Sequence, residues 1–421
     1  MHRAEGRHRA DRRHGAGRRH RATRPGFAVA AAFVLAGCGA GAQANTPTWV
    51  PKPSFQGEGQ QPSASAIAPQ PSGPSSTPST GGGPATPAPT SASAQDPTIV
   101  ATNLSAPGAV AILPDNTALV GERTTGRIVR VQPKPNQPVP TVRTLTGLSS
   151  TGGGGLLDLA LSPNYLQDSL IFAYVTTATD NRVIAFTLTG AITPVLTGIP
   201  RGTTDNGGRF AFGDDGQLYI GTGDAGHPAL AADPHSLAGK VLRVSDIGNP
   251  SRGNPVPTSP VFTSGHHAVA GLCLISGNDV LLEVEPKGTD GYENVNLLIK
   301  GGSYGWPRAK AGAQPPLTTL PAGGGGPGGC TVQSGNLYVT SLDGKELLAS
   351  RLARKAGALS AGKFSVLLKN KYGRLRAITA APDGALWMTT SNRDGNGNPV
   401  PTDERVLRYL PSGGGAATYP G

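Results

Sequence analysis

The chain has 421 residues, of which 61 are glycine and 39 proline, and only 15% are charged. About a quarter glycine plus proline marks part of it as low-complexity, and the low charge without a heptad pattern excludes a coiled coil. The net charge of +11 is uneven: nine of the 37 Lys and Arg residues fall among the first 24, so the charge belongs mainly to a leader and makes no case for nucleic-acid binding by the body.

After the basic stretch, Gly26 to Ala36 is an apolar run too short to span a bilayer comfortably, which suits the core of an export signal. Leu35-Ala36-Gly37-Cys38 completes a bacterial lipobox. Small residues let a peptidase close around the chain, and the Cys38 thiol is the group that receives lipid. The expectation is a signal peptide over 1–37 and a protein exported and anchored to the outer face of the bacterial cell membrane. A cleaved secretory signal with an incidental cysteine is the alternative. From 39 to 97 the composition is Pro, Ser, Thr, Ala, Gly and Gln, with Lys52, Glu58 and Asp96 as the charges. Such a stretch cannot bury enough apolar surface to offset its conformational entropy, so 38–97 reads as a disordered tether.

From Thr98 one phrase returns: a short apolar strand, a tight Asp/Asn/Gly turn, a second strand, a loop and a third strand. Val110-Ala111-Ile112-Leu113-Pro114-Asp115-Asn116 opens one copy, Phe210-Ala211-Phe212-Gly213-Asp214-Asp215-Gly216 another, and Ile378-Thr379-Ala380-Ala381-Pro382-Asp383-Gly384 a third. Copies start near 110, 159, 210, 271, 331 and 378. A period of about 50 residues suits propeller blades. The expected fold is therefore all-β, a six-bladed β-propeller over 98–411, with a disordered tail over 412–421.

The phrases resemble the glucose/sorbosone dehydrogenase family, the pyrroloquinoline quinone (PQQ)-dependent soluble aldose dehydrogenases. The resemblance rests on Glu122-Arg123-Thr124-Thr125-Gly126-Arg127, Gly155-Leu156-Leu157-Asp158, Asn206-Gly207-Gly208-Arg209-Phe210, Gly221-Thr222-Gly223-Asp224, Tyr304-Gly305-Trp306-Pro307 and Gly373-Arg374-Leu375-Arg376, in the family's order. Lipobox, tether and propeller together are similar to the sugar-dehydrogenase-like lipoproteins of mycobacteria. The resemblance implies PQQ and calcium in the propeller mouth, a sugar or glycan as partner, and a histidine that takes the proton of the anomeric hydroxyl while hydride moves to the quinone.

Carried over by position, Asp224, Arg209, Arg374 and Arg376 are retained, the three arginines as cofactor ligands. Arg374 and Arg376 stand two apart on an expected strand, which puts both side chains on one side. The histidine's position holds Asp205, leaving Asp205 and Asp224 as the candidate bases. A cofactor-facing arginine becomes His267, which stays a candidate cofactor contact, its neighbouring asparagine becomes Ala268, a polar residue becomes Gly153, and a lysine becomes Asp343. Two functions stay open: a PQQ-dependent aldose dehydrogenase, or a catalytically degenerate propeller that binds a glycan, a small molecule or an envelope protein.

Gly221 to Gly226 also satisfies the dinucleotide pattern G-x-G-x-x-G, but Pro228 and Pro234 interrupt the helix it needs. His227, His235, His266 and His267 cluster without ligand spacing, and Asn392 to Gly397 faintly echoes a calcium loop while reading better as a long loop in the last blade. Cys273 and Cys330 form a disulfide if the fold brings them together, or remain two buried thiols.

Overall fold

The computed structural model describes residues 96–277, 280–286, 291–308, 311–322 and 325–411. The expected signal peptide, Cys38, most of the expected tether and residues 412–421 lie outside the described residues. Six antiparallel sheets form the blades of a β-propeller. Their innermost strands are Pro107–Ile112, Leu156–Leu161, Gly207–Phe212, Gly271–Ile275, Pro327–Gln333 and Leu375–Ala380. Each runs from the face that carries the site, called here the mouth, toward the opposite face. The ring closes by strand exchange: Ile99–Ala101 pairs antiparallel with Val406–Tyr409, so the last blade takes its outer strand from the start of the domain.

Blades stack face to face, so their middle strands are buried on both faces and read as continuous apolar runs, as in Ala118–Glu122, Ile171–Thr176 and Leu386–Thr390. The apolar side chains gather into six clusters, one between each pair of neighbouring blades. Trp387, fully buried, belongs to the cluster that joins the last blade to the first.

The recurring Asp of the turn has a structural role. Asp115, Asp215 and Asp383 each accept a backbone N–H two residues on, and each pairs with an arginine of the third strand, Arg130, Arg243 and Arg408 respectively. This clasp fixes the hairpin in register with the strand behind it, and it is what the repeat preserves. Cys273 and Cys330 are disulfide-bonded, Cα to Cα 5.8 Å, joining the inner strands of the fourth and fifth blades.

Inner strands begin three or four residues before the repeated phrase in five blades. Four of those entries carry a bulge whose extra residue is Gly108, Leu157, Gly208 or Gly328. A bulge leaves its extra residue outside the ladder and frees its carbonyl. Those carbonyls shape the channel.

Candidate active site at the channel mouth

Arg209 lies across the channel. Its Nε donates to the Ala270 carbonyl at 2.7 Å, Nη1 to the carbonyls of Gly108 and Leu157 at 3.2 Å, and Nη2 to that of Gly328 at 2.9 Å. Three of these acceptors are bulge residues, so one guanidinium on the third blade ties down the inner strands of four others. Gly207 and Gly208, both at positive φ, bring the chain into this position. A Cβ on Gly208 would press to 2.7 Å from Tyr174. Asp158 sits 4.0 Å from Arg209 Nη1 and accepts the N–H groups of Leu159 and Phe210. Burial pushes the Asp158 carboxyl up to about 6 against the pull of Arg209 and these donors. Both residues line a cavity of about 580 Å³ that continues along the inner strands toward the opposite face.

Toward the mouth stand Arg376 and Arg374. Arg376 Nε is buried without a hydrogen-bond partner. Burial, then the neighbouring guanidinium groups of Arg209 and Arg123, drive its pKa down to about 9. Positive charge is thus concentrated beyond what nearby acids offset. Arg374 is committed differently: its Nε donates to Asp394 at 3.0 Å and its Nη1 to Asp343. Asp343 is 65% exposed on the rim. The loop from Asn392 to Gly397 serves here, as Asn392 Oδ1 also accepts the Arg374 N–H.

The candidate bases lie on neighbouring loops. Asp205, at φ 52°, and His267 are 29% and 22% exposed, with His267 Nε2 at 3.6 Å from Asp205 Oδ1. His267 Nδ1 lies 3.4 Å from the Pro286 carbonyl, an acceptor that a proton on Nδ1 would satisfy, and Nε2 faces Asp205. Trp306 stacks on the His267 ring at 4.3 Å. Asp224 is buried and accepts Trp306 Nε1 and the Gly226 N–H, both at 2.8 Å. It therefore holds the tryptophan that holds the histidine. The Gly-Thr-Gly-Asp phrase brings backbones together: a Cβ on Gly223 would overlap the Asp205 carbonyl. A short 3-10 turn, Pro228–Ala231, follows in place of a helix.

Sequence reasoning placed Asp205, Asp224 and His267 at the mouth, and the fold brings all three together. It did not single out Trp306, although the residue stood in a quoted motif. It also passed over Glu283 and Glu285, whose alternation on one strand was the available signal. Of the four clustered histidines, His266 is fully buried and His227 and His235 are on the surface.

The chain belongs to the glucose/sorbosone dehydrogenase family, whose sequence profile matches residues 104–328. It is similar to the PQQ-bound aldose sugar dehydrogenase of Streptomyces coelicolor, at 36% identity and a TM-score of 0.68, over 74% of this chain and 95% of that one. It is 30% identical over 252 residues to quinoprotein glucose dehydrogenase B of Acinetobacter calcoaceticus, covering 50% of this chain and 52% of the relative. An aldose sugar dehydrogenase of Escherichia coli is 26% identical over 235 residues, covering 51% and 62%. The chain thus spans about half to three-fifths of the length of these two curated relatives.

Proposed function

We propose that this propeller binds PQQ at the mouth and oxidises an aldose at its anomeric carbon. The observation that carries the reading is the unpartnered Nε of Arg376 within a group of arginines: buried donors and excess positive charge fit a polycarboxylate. Arg376 would hold one carboxylate and Arg374 a second. When bound, PQQ supplies the hydride acceptor. His267 Nε2, fixed by Pro286 and Trp306, takes the proton of the sugar hydroxyl, and Asp205 stabilises the resulting imidazolium. Asp224 positions Trp306 and takes no proton itself.

Calcium, implied by the resemblance, is a different matter. Among the described residues the two clusters of three His, Asp or Glu side chains each include an imidazole, a ligand calcium does not favour. No step is assigned to calcium.

The test is turnover of aldoses by PQQ-loaded protein with an artificial electron acceptor. Activity in the wild type that disappears in His267→Ala supports the reading, and absence of turnover from protein that binds PQQ contradicts it. A second reading, a binding module without turnover, is favoured by one observation: Arg374 is already neutralised by Asp343 and Asp394. Protein that captures a glycan but not PQQ would establish it.

The same proposal includes export and anchoring through a lipid on Cys38. Labelling with a fatty-acid analogue, lost in Cys38→Ser, checks it.

A further inference from the structure

Behind the mouth lies a cluster that the proposed chemistry does not use. Glu283 and Glu285 stand two apart on Val280–Glu285, so both point to one face of the strand. His266 enters from the loop before the blade. All three are buried. Asn296 Nδ2 on the adjacent strand donates to Glu283 at 2.7 Å and to Glu285 at 3.0 Å. Glu285 Oε2 also accepts the His267 N–H at 2.9 Å. The His266 ring stacks on Tyr304 at 4.7 Å, and its Nε2 lies 2.9 Å from Thr263 Oγ1.

Two polar atoms in this group are orphaned: His266 Nδ1 and Glu283 Oε1 are buried with no hydrogen-bond partner. Nδ1 faces Glu283 Oε2 at 3.8 Å and Glu285 Oε2 at 3.9 Å, too far for a hydrogen bond to either, and both oxygens already accept one N–H. With Thr263 accepting the proton of Nε2, the Nδ1 lone pair is aimed at two acceptors. A cation between them would satisfy all three.

We infer that His266 Nδ1, Glu283 and Glu285 form a buried site for one divalent transition-metal ion of the zinc type. One imidazole and two carboxylates are a donor set that zinc accepts, with bonds of about 2.0–2.2 Å. Ligand atoms on such an ion stand about 3.3 Å apart in a tetrahedron, so the side chains close by about half an ångström. Two carboxylates balance the ion's charge. Lys240 is the nearby cation, and it is held by the carbonyls of Leu230, Ala231 and Ala238. The ion would fix Glu285, and through it the backbone of His267. The site is distinct from the mouth and does not depend on PQQ binding.

The competing arrangement is a proton shared within the carboxyl pair, and one pair of measurements separates the two. Protein purified without a histidine tag is analysed for metal, and Glu283→Gln is compared with it. About one equivalent of zinc is expected in the wild type and less than a tenth in the variant. Wild type unfolded and refolded in chelator is expected to melt lower by about 5 °C or more, with recovery on adding zinc. The inference is overturned by metal-free wild type whose melting point is indifferent to zinc during refolding. It is equally overturned by Glu283→Gln that matches or exceeds wild-type stability, because glutamine mimics the protonated acid. If the variant does not fold, the refolding comparison decides alone.

Discussion

His267 Nε2 and Asp205 Oδ1 face one another across 3.6 Å at the channel mouth, although their loops belong to different blades. The family resemblance places a histidine where Asp205 stands and an arginine where His267 stands. An imidazole and a carboxylate thus face one another at the mouth, and on the proposed function His267 is the proton acceptor.

That arrangement divides the work between the two residues. His267→Ala is expected to lower kcat by about 100-fold or more, since it removes the acceptor itself. Asp205→Asn, which removes only a stabilising charge, is expected to cost about tenfold. Steady-state kinetics of the PQQ-loaded variants checks both, and equal losses would contradict the division.

Asp343 reaches back from the rim to Arg374 and competes with any carboxylate ligand for it. Asp343→Asn is expected to tighten PQQ binding by about tenfold, read by quenching of tryptophan fluorescence. Unchanged affinity would mean that Arg374 does not contact the cofactor.

Arg209 supplies four hydrogen bonds to carbonyls of the inner blade strands and their entries, three of them on residues that bulges have removed from their ladders. Arg209→Met is expected to leave these carbonyls without donors and Asp158 without its neighbouring cation, and to destabilise the fold by roughly 3–5 kcal/mol. The guanidinium chloride midpoint measures it.

Asp158 makes stability depend on pH. Its folded pKa of about 6 lies above the ordinary aspartate value of 3.8, so between these values the folded state holds the proton more tightly. The stabilisation is fully present below about pH 4 and is lost as pH rises through about 6, on the order of 3 kcal/mol in all. Urea titrations from pH 4 to 7 should show that slope in wild type and a reduced one in Asp158→Asn.

Much of the fold was legible because the repeat is also a structural device: the turn aspartates Asp115, Asp215 and Asp383 clasp strand arginines, and that pairing recurs. The outer strands were not legible. Thr141–Thr144 and Thr193–Ile199 are largely exposed edges and carry no alternation. Closure by Ile99–Ala101 was equally hidden, because a three-residue strand pairs with residues some 300 positions away and leaves no local signal. At the site, residue identity showed which groups had changed but not what the changes met. Arg209 has the composition of a carboxylate ligand, yet its donors go to backbone carbonyls. Asp343 looked like a lost lysine, and only the structure shows it closing on Arg374.

The most direct test of the central claim is a calorimetric titration of PQQ into the purified protein, with Arg376→Ala alongside. Saturable binding by the wild type, weakened at least tenfold in the variant, is the expected result. No heat of binding from folded wild type at high PQQ concentration, or equal affinity in both proteins, would contradict the claim that the mouth holds this cofactor through Arg376.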